Sequence, residues 1–403
     1  MVKQNIGEEL NNLIKPISVL YLSSYIPRKC GIATFTKDLT NAINMLNPSK
    51  IADIAALDND ISTSLHYPHE VKFRLYENEN FDYKELAYRL KTGNNENNYD
   101  LISLQHEYGI YGKNDGEEIL EFIDLMKKPI VTTLHTVLEN PSANQEKILG
   151  IICNKSRFLV VMLSNAKNIL VEKYGVDRNK IVVIHHGVPD FPKLEAETWK
   201  RKIKLSKYTI MSSINLISPS KGLEFAIQAV PGIVKKIPNF LYLIIGETHP
   251  VYLKKNNGND VYRKKLKKLV KDLSIGKHVR FVNQYLSIKS LMNYVGASDF
   301  YITPYLDAQQ AASGALAYGI GAGKVCISTP YLYAQEMLGK LRGILVPFKD
   351  SESVAEAVVR VMRDSKEREL YETNSYLIGR TMTWNNVAHQ YLHLFKYAIN
   401  GYH

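Results

Sequence analysis

The sequence predicts an α/β protein made of two Rossmann-like domains, each a doubly wound parallel sheet, with a ligand cleft between them. A length of 403 residues exceeds one ordinary core and fits two domains of about 150–200 residues each. Short β-branched runs alternate with helical segments, as βαβ units require. This alternation stops in the segment 189–196 and then restarts, so that segment is the predicted linker.

Six short apolar runs in the first half predict the strands of one sheet. They lie at 18–22, 51–56, 101–105, 129–134, 158–162 and 180–184. A helix is predicted from about Thr36 to Met45, after the loop that follows the first of these strands. These strands should lie side by side and parallel, with helices covering both faces of the sheet.

The second half repeats the pattern and predicts a second sheet. Its strands are expected at 208–213, 240–245, 278–282, 299–303, 325–328 and 343–346, with a helix at 224–230. In sheets of this kind, ligands bind beyond the carboxyl ends of the strands. The loops that follow the strands are therefore expected to carry the function.

Composition excludes several classes of protein. The hydrophobic share of 45% is ordinary for a globular chain, and no run of about 18 apolar residues predicts a spanning helix. The N-terminus lacks the basic start, apolar stretch and cleavage site of a signal peptide. Cys30, Cys153 and Cys326 are scattered, which argues against a disulfide framework or a cysteine metal site. A cytoplasmic location is the simplest expectation.

The net charge of +11 is concentrated in one half of the chain. Residues 1–190 hold 21 Lys+Arg and 24 Asp+Glu, whereas residues 191–403 hold 30 and 16. The excess indicates an anionic partner, either a phosphorylated ligand, an anionic membrane surface or nucleic acid. The lysine-rich run 262–271 predicts a surface helix, and the basic segment 200–204 predicts a loop or the start of a strand. Nucleic acid is the least favoured partner, because neither run is interleaved with aromatic residues.

The segment 303–338 is the most informative part of the chain. It runs from a strand end through small residues at 311–315 into a helix start, and later reaches Glu336. Small residues let backbone N–H groups approach a ligand closely, and the start of a helix attracts an anion. The segment therefore predicts a site for the diphosphate of a nucleotide sugar at Ser313, Gly314 and Ala315.

Other loops of the second half predict further contacts with the same ligand. Lys221 stands near a helix start beside Ser218, which suits a diphosphate, although a helix cap with a solvated lysine is the structural alternative. Gly246 and Asn283 follow two other strands, where a base or ribose could approach.

Loops of the first half contain a glycine and several histidines. Gly31 precedes a helix and could let backbone approach a phosphate, but one glycine is equally consistent with a turn. His106 and His135 each lie at the end of a predicted strand of one sheet, which favours a pair in a cleft. For the segment 185–187, a turn closed by glycine is at least as plausible as a functional role.

Taken in order, these segments resemble the GT-B glycosyltransferases of the retaining glycosyltransferase family 4 (group 1). The resemblance covers nearly the whole chain and rests on the segments 132–136, 185–190, 218–224, 303–338 and 342–346. It implies an N-terminal acceptor domain, a C-terminal nucleotide-sugar domain and a last helix that crosses back to the first domain. The expected boundaries are 1–190, 191–375 and 376–403.

The resemblance implies transfer of a hexose, with mannose favoured, from a nucleotide sugar to a saccharide or lipid-linked acceptor with retention of configuration. The donor would be a GDP- or UDP-hexose, and no metal or other cofactor is expected. His135 and Gln310 take the implied catalytic positions, and Lys221 takes the phosphate-binding position. The full set of expected donor contacts is Gly31, Ser218, Lys221, Gly246, Asn283, Ser313, Gly314, Ala315, Tyr318 and Glu336. Basic, acidic and aromatic loop residues are the expected acceptor contacts: Arg28, Lys29, His106, Glu107 and Tyr108, with Tyr25 and Tyr111 beside them.

Three positions depart from the family pattern. The family has two glutamates eight positions apart, where this chain has Gln310 and Tyr318, and an arginine where this chain has Leu216. Gln310 keeps hydrogen-bonding capacity but cannot transfer a proton. Together with the SerThrProTyr-x-TyrAla stretch at 328–334, the changes resemble a subgroup rather than a decayed site.

Three alternatives stay open from the sequence. A GT-B sugar phosphorylase or a nucleotide-sugar epimerase would share the two-domain layout. A non-catalytic domain that binds a nucleotide sugar would explain the three departures. A protein at the inner face of an anionic membrane would explain the basic half and is compatible with a lipid-linked acceptor.

Overall fold

The computed structural model describes residues 15–58, 65–76, 83–92, 98–193 and 195–400. The chain divides into two compact units. The first comprises Met1–Gly187 and Trp384–His403, and the second comprises Val188–Thr383.

The first unit is built on a parallel sheet of seven described strands. They are β1 (Val19–Ser23), β2 (Asp53–Asp58), β3 (Val71–Tyr76), β4 (Leu101–His106), β5 (Ile130–Leu134), β6 (Phe158–Val161) and β7 (Ile181–Val183). Their order in the sheet is β3-β2-β1-β4-β5-β6-β7, with every pairing parallel. All residues of β1, β4 and β5 are buried, because helices cover both faces of a parallel sheet.

Helices connect these strands. They are α1 (Gly31–Leu46), α2 (Tyr83–Thr92), α3 (Ile119–Leu125), α4 (Ala143–Lys155) and α5 (Ser164–Glu172). The helix α4 begins with a capping box, in which the Ser142 hydroxyl accepts from the Gln145 amide and the Gln145 side chain accepts from the Ser142 amide.

The second unit repeats this architecture with six described strands. They are β8 (Thr209–Ile214), β9 (Phe240–Ile245), β10 (Val279–Val282), β11 (Phe300–Thr303), β12 (Val325–Ser328) and β13 (Gly343–Leu345), in the order β10-β9-β8-β11-β12-β13 and again parallel. The helices are α6 (Ala196–Lys202), α7 (Leu223–Val234), α8 (Pro250–Lys255), α9 (Val261–Asp272), α10 (Ile288–Ala297), α11 (Gly314–Gly321), α12 (Leu332–Leu338), α13 (Ser351–Arg363) and α14 (Ser365–Thr381). The predicted fold of two parallel-sheet domains is confirmed.

The last helix, α15 (Trp384–Asn400), belongs to the first unit and packs against α1. The ring of Trp384 lies 5.3 Å from that of Phe35, and the Thr133 and Tyr391 hydroxyls are 3.0 Å apart. A Cβ atom at Gly187 would lie 2.1 Å from the Trp384 ring. The glycine of the segment 185–187 therefore has a packing role.

Three local predictions were wrong. The helix α1 begins at Gly31 rather than near Thr36, because the Cys30 sulfur caps its first turn by accepting from the Ala33 amide. The strand β3 was missed, because its charged residues leave it half-exposed and unlike a buried apolar run. The segment 200–204 forms the end of α6 and the turn after it, not a loop or a strand.

The lysine-rich run forms α9 as predicted, with Leu266 and Val270 buried and the lysines outside. Among the described helices, none combines the length and the hydropathy that crossing a bilayer requires.

Candidate active site

The predicted donor-binding residues of the second unit gather at the carboxyl edge of its sheet. From β8, the strands β9 and β10 are added on one side of the sheet, whereas β11, β12 and β13 are added on the other side, so the strand order reverses between the neighbours β8 and β11. Open parallel sheets bind ligands at such a reversal, because the loops that leave the two strands diverge there. The loops after β8 and β11, at 215–222 and 304–313, form the centre of the candidate site.

Lys221 ends a single 3-10 turn, Pro219–Lys221, in the first of these loops. Its Nζ atom lies 3.9 Å from the centroid of the Tyr305 ring in the second loop. Burial lowers the pKa of Lys221 to about 8, and the nearby Asp307 carboxylate opposes that shift. The loops thus hold a half-buried cation beside the Asp307 carboxylate and the face of the Tyr305 ring.

Backbone contacts join the same two loops. Gly222 has a φ of +59°, and a Cβ atom there would lie 2.1 Å from the Pro304 carbonyl oxygen. The Leu306 amide donates to the Ser220 carbonyl at 2.9 Å. The hydroxyls of Ser218 and Ser220 are 2.9 Å apart, so the Ser218 side chain is turned toward its own loop.

The small-residue segment forms the predicted start of a helix. Ser313 is the N-cap of α11, and its hydroxyl accepts from the Leu316 amide at 3.2 Å. Gly314 and Ala315 are the first two helical residues and are half-exposed. Amides in a first helical turn lack helical partners, so this end presents positive potential to an anion.

Three further predicted contacts lie along the same chain segment. The side-chain nitrogen of Gln310 donates to the Ala312 carbonyl at 2.9 Å. The backbone carbonyl of Gln310 accepts from the Tyr333 amide at 3.2 Å. The side-chain oxygen of Gln310 thus has acceptor capacity for a ligand hydroxyl. Tyr318 on α11 and Glu336 on α12 are half-exposed.

Gly246 and Asn283 have different surroundings. Gly246 has a φ of +133°, and a Cβ atom there would lie 1.9 Å from the Asn215 carbonyl oxygen. Glycine is therefore required at 246 because the loops after β8 and β9 approach each other closely there. Asn283 is exposed just beyond β10.

The structure also brings in residues that sequence reasoning missed. Tyr305 and Tyr331 stack with ring centroids 5.1 Å apart, directly beside Lys221. The side-chain amide of Asn215 is buried, with no hydrogen-bond partner among the described residues. One signal was available, because Asn215 and Tyr305 each lie two residues beyond predicted strands that flank the reversal of the sheet.

In the first unit, His135 follows β5 directly and is 8% exposed. Its Nε2 atom lies 3.0 Å from the Gln105 side-chain oxygen, and its ring meets the Phe35 ring edge-on at 4.9 Å. Burial, with the neighbouring His186 and His106, lowers the pKa of His135 to about 3. The imidazole is therefore neutral at physiological pH, with Nε2 donating to Gln105 and Nδ1 left as an acceptor.

The acceptor candidates include several core residues. His106 is fully buried, and its ring stacks on that of Tyr111 at 6.1 Å and meets that of Tyr108 edge-on at 5.1 Å. Neither ring nitrogen has a partner among the described residues, and burial lowers the pKa of His106 to about 4. Tyr25 and Tyr111 are buried too, so these aromatic side chains pack the domain instead of presenting a surface to an acceptor.

The charged acceptor candidates are more accessible. Glu107 accepts from the Thr136 hydroxyl at 2.6 Å and from the Tyr108 amide at 3.0 Å, and burial raises its pKa. Arg28 is half-buried and donates to the Leu57 carbonyl at 3.3 Å, whereas Lys29 is exposed.

Gly31 opens α1 next to its Cys30 cap and is exposed. A Cβ atom at Gly31 would meet nothing within 4 Å, so packing does not explain the glycine. In the described part of the chain, no group of three or more His, Cys, Asp or Glu side chains is arranged to hold a metal ion.

Comparison with known families decides the class. Residues 195–377 match the family described as Glycosyl transferases group 1, and residues 53–190 match Glycosyltransferase Family 4. The chain is a group 1 GT-B glycosyltransferase. No curated protein matches this glycosyltransferase in a whole-sequence comparison.

Solved structures resemble the glycosyltransferase over nearly its whole length. Anabaena Alr3699/HepE in complex with UDP and glucose is 14% identical, with a TM-score of 0.69 and coverage of 94% of this chain and 99% of that one. Sucrose-phosphate synthase from Thermosynechococcus elongatus is 15% identical, with a TM-score of 0.74 and coverage of 96% and 100%. An alpha,alpha-trehalose-phosphate synthase (UDP-forming) from Burkholderia vietnamiensis is 13% identical, with a TM-score of 0.67 and coverage of 96% and 98%. At these identities the likeness establishes the GT-B fold of the glycosyltransferase.

Proposed function

We propose that this glycosyltransferase transfers a hexose from UDP-hexose to a saccharide or lipid-linked acceptor with retention of configuration. The observation that supports this best is that the Lys221 ammonium rests on Tyr305, in the same loop that leads into the start of α11. A nucleoside diphosphate leaving group needs both a cation and N–H donors as its charge develops. UDP is favoured over GDP because Alr3699/HepE was solved with UDP and with UDP-glucose.

In the proposed mechanism the second unit stabilises the leaving group. Lys221 and the first amides of α11 hold the diphosphate, and Gln310 accepts from a donor hydroxyl. Leu216 replaces the arginine of the family, and Lys221 is the one basic residue in the segment 214–222. More of the charge stabilisation therefore falls on Lys221 than in family members that keep the arginine.

His135 is proposed to position a sugar hydroxyl through its unprotonated Nδ1 atom, which can accept a hydrogen bond. Gln105 fixes the ring, because its side-chain nitrogen lies 3.3 Å from the Ser103 hydroxyl oxygen and 3.4 Å from that of Thr133, which turns its oxygen toward His135. A neutral imidazole suits this hydrogen-bonding role. Acceptor contact is proposed for Glu107, Arg28 and Lys29.

The test is a donor screen with UDP-glucose, UDP-galactose and GDP-mannose, read by product mass and by the anomeric configuration from NMR. Lys221→Ala should lose most donor binding and turnover, while the exposed control Lys277→Ala keeps both. Hexose transfer from GDP-mannose alone would show that the donor is a GDP-hexose and not a UDP-hexose. Wild-type kinetics in Lys221→Ala would remove Lys221 from the site.

Contact with an anionic membrane is proposed for the lysine face of α9. The exposed lysines of this helix are Lys264, Lys265, Lys267, Lys268 and Lys271. Binding of this kind should be electrostatic and weaken with salt. Co-sedimentation with phosphatidylserine vesicles at two salt concentrations tests it, and equal binding to neutral vesicles would contradict it.

A further inference from the structure

Lys221 has a neighbour whose role the proposed chemistry leaves unexplained. The Tyr305 ring is 1% exposed and lies 3.9 Å from the Lys221 ammonium, well inside the range of a cation–π contact. A ring so deeply buried offers no surface to the donor. Its face instead forms a support on which a partly desolvated ammonium rests.

The Tyr305 ring is held in place from several sides. It stacks on Tyr331 at 5.1 Å with an interplanar angle of 16°. The Tyr305 carbonyl accepts from the Thr329 hydroxyl at 2.6 Å, and the Tyr331 hydroxyl donates to the Thr303 hydroxyl at 3.0 Å. These contacts prevent the ring from turning away from Lys221.

The same aromatic pair lies near the second anion-binding element, the start of α11. Burial raises the pKa of Tyr305 and of Tyr331, and the nearby Ser313 side chain opposes both shifts. Ser313 in turn caps α11 by accepting from the Leu316 amide. One pair of stacked rings therefore contacts the cation through Tyr305 and lies near the residue that caps the helix.

We propose that Tyr305 is a positioning residue of the diphosphate site. Its ring, held by Tyr331, fixes the Lys221 ammonium near the start of α11, so that cation and helix amides face one diphosphate together. This inference rests on the proposed function of Lys221, and it adds a residue that touches neither the donor nor the reacting atoms.

A double-mutant cycle on UDP affinity tests the inference. Calorimetry gives the Kd for wild type, Lys221→Ala, Tyr305→Leu and the double variant, with thermal unfolding as a check on folding. Tyr305→Leu should weaken UDP binding about tenfold in the wild-type background but less than about threefold in Lys221→Ala, because its main effect passes through Lys221. Tyr305→Phe keeps the ring face and should stay within about threefold of wild type.

Two controls separate the possible outcomes. Tyr371→Leu removes another buried tyrosine of the second unit and should leave the UDP affinity unchanged. An equal weakening by Tyr305→Leu in both backgrounds, or the same loss in Tyr371→Leu, would overturn the positioning role while leaving the proposed function intact. Absence of UDP binding to the wild type would instead overturn the proposed UDP donor, and the inference with it.

Discussion

The lowered pKa of Lys221 predicts how donor binding depends on pH. Burial lowers this pKa to about 8, so the side chain loses its proton within an accessible range. A diphosphate that binds the ammonium form raises the pKa of Lys221. At any pH at which Lys221 of the unbound protein is neutral, binding therefore takes up a proton. Affinity should therefore be full below pH 7 and fall as the pH rises through 8.

The magnitude follows from the protonated fraction. With a pKa of about 8, roughly nine-tenths of free Lys221 is charged at pH 7 and roughly one-tenth at pH 9. The apparent Kd for UDP should rise about tenfold between these values, which corresponds to about 1.4 kcal/mol of binding free energy.

Calorimetry with UDP at pH 7, 8 and 9 measures this change. Lys221→Arg is the matched control, because a guanidinium stays charged throughout and any titration of the ligand itself is common to both proteins. The difference between wild type and Lys221→Arg should thus grow with pH. Parallel profiles would show that the Lys221 charge is not what the diphosphate binds.

The other predictions concern both units. His135→Ala should abolish hexose transfer while UDP affinity persists, as measured by product mass and calorimetry; retained transfer would remove His135 from the site. Burial holds the pKa of His106 and His186 near 4 and that of His135 near 3, below the unfolded value of about 6.5, so the unfolded state binds more protons below that value. The free energy of unfolding should therefore drop by about 2 kcal/mol per histidine between pH 7 and pH 5 in urea titrations, and a flat profile would contradict this. Gly246→Ala should cost at least about 2 kcal/mol in the same assay, because a positive φ and the Asn215 carbonyl both oppose a Cβ; wild-type stability would show that the loops relax freely.

Most of the fold was predictable because parallel strands are buried on both faces. The runs at β8 and β9 are apolar or small along their whole length, and both were predicted within one residue. The strand β3 was not predictable in this way, because its burial alternates and its exposed positions carry Lys72 and Arg74. The strand β3 forms by parallel pairing with β2, and the local sequence does not indicate that pairing.

The candidate site was predictable in position but not in detail. Lys221 and Ser313 follow from their places after strands, because strand ends share one edge of a sheet. The contact between Lys221 and Tyr305 depends on how two loops meet that are far apart in sequence, which no local pattern specifies. His106 shows the reverse case, since its strand-end position suggested access and two tyrosines of the following loop bury it.

A crystal structure of the protein with UDP tests the central proposal most directly. We expect the β-phosphate oxygens within about 3 Å of the Lys221 ammonium and of the amides of Gly314 or Ala315, as charge-assisted hydrogen bonds require. A diphosphate bound elsewhere, with Lys221 still resting on Tyr305 and no anion at the start of α11, would contradict it.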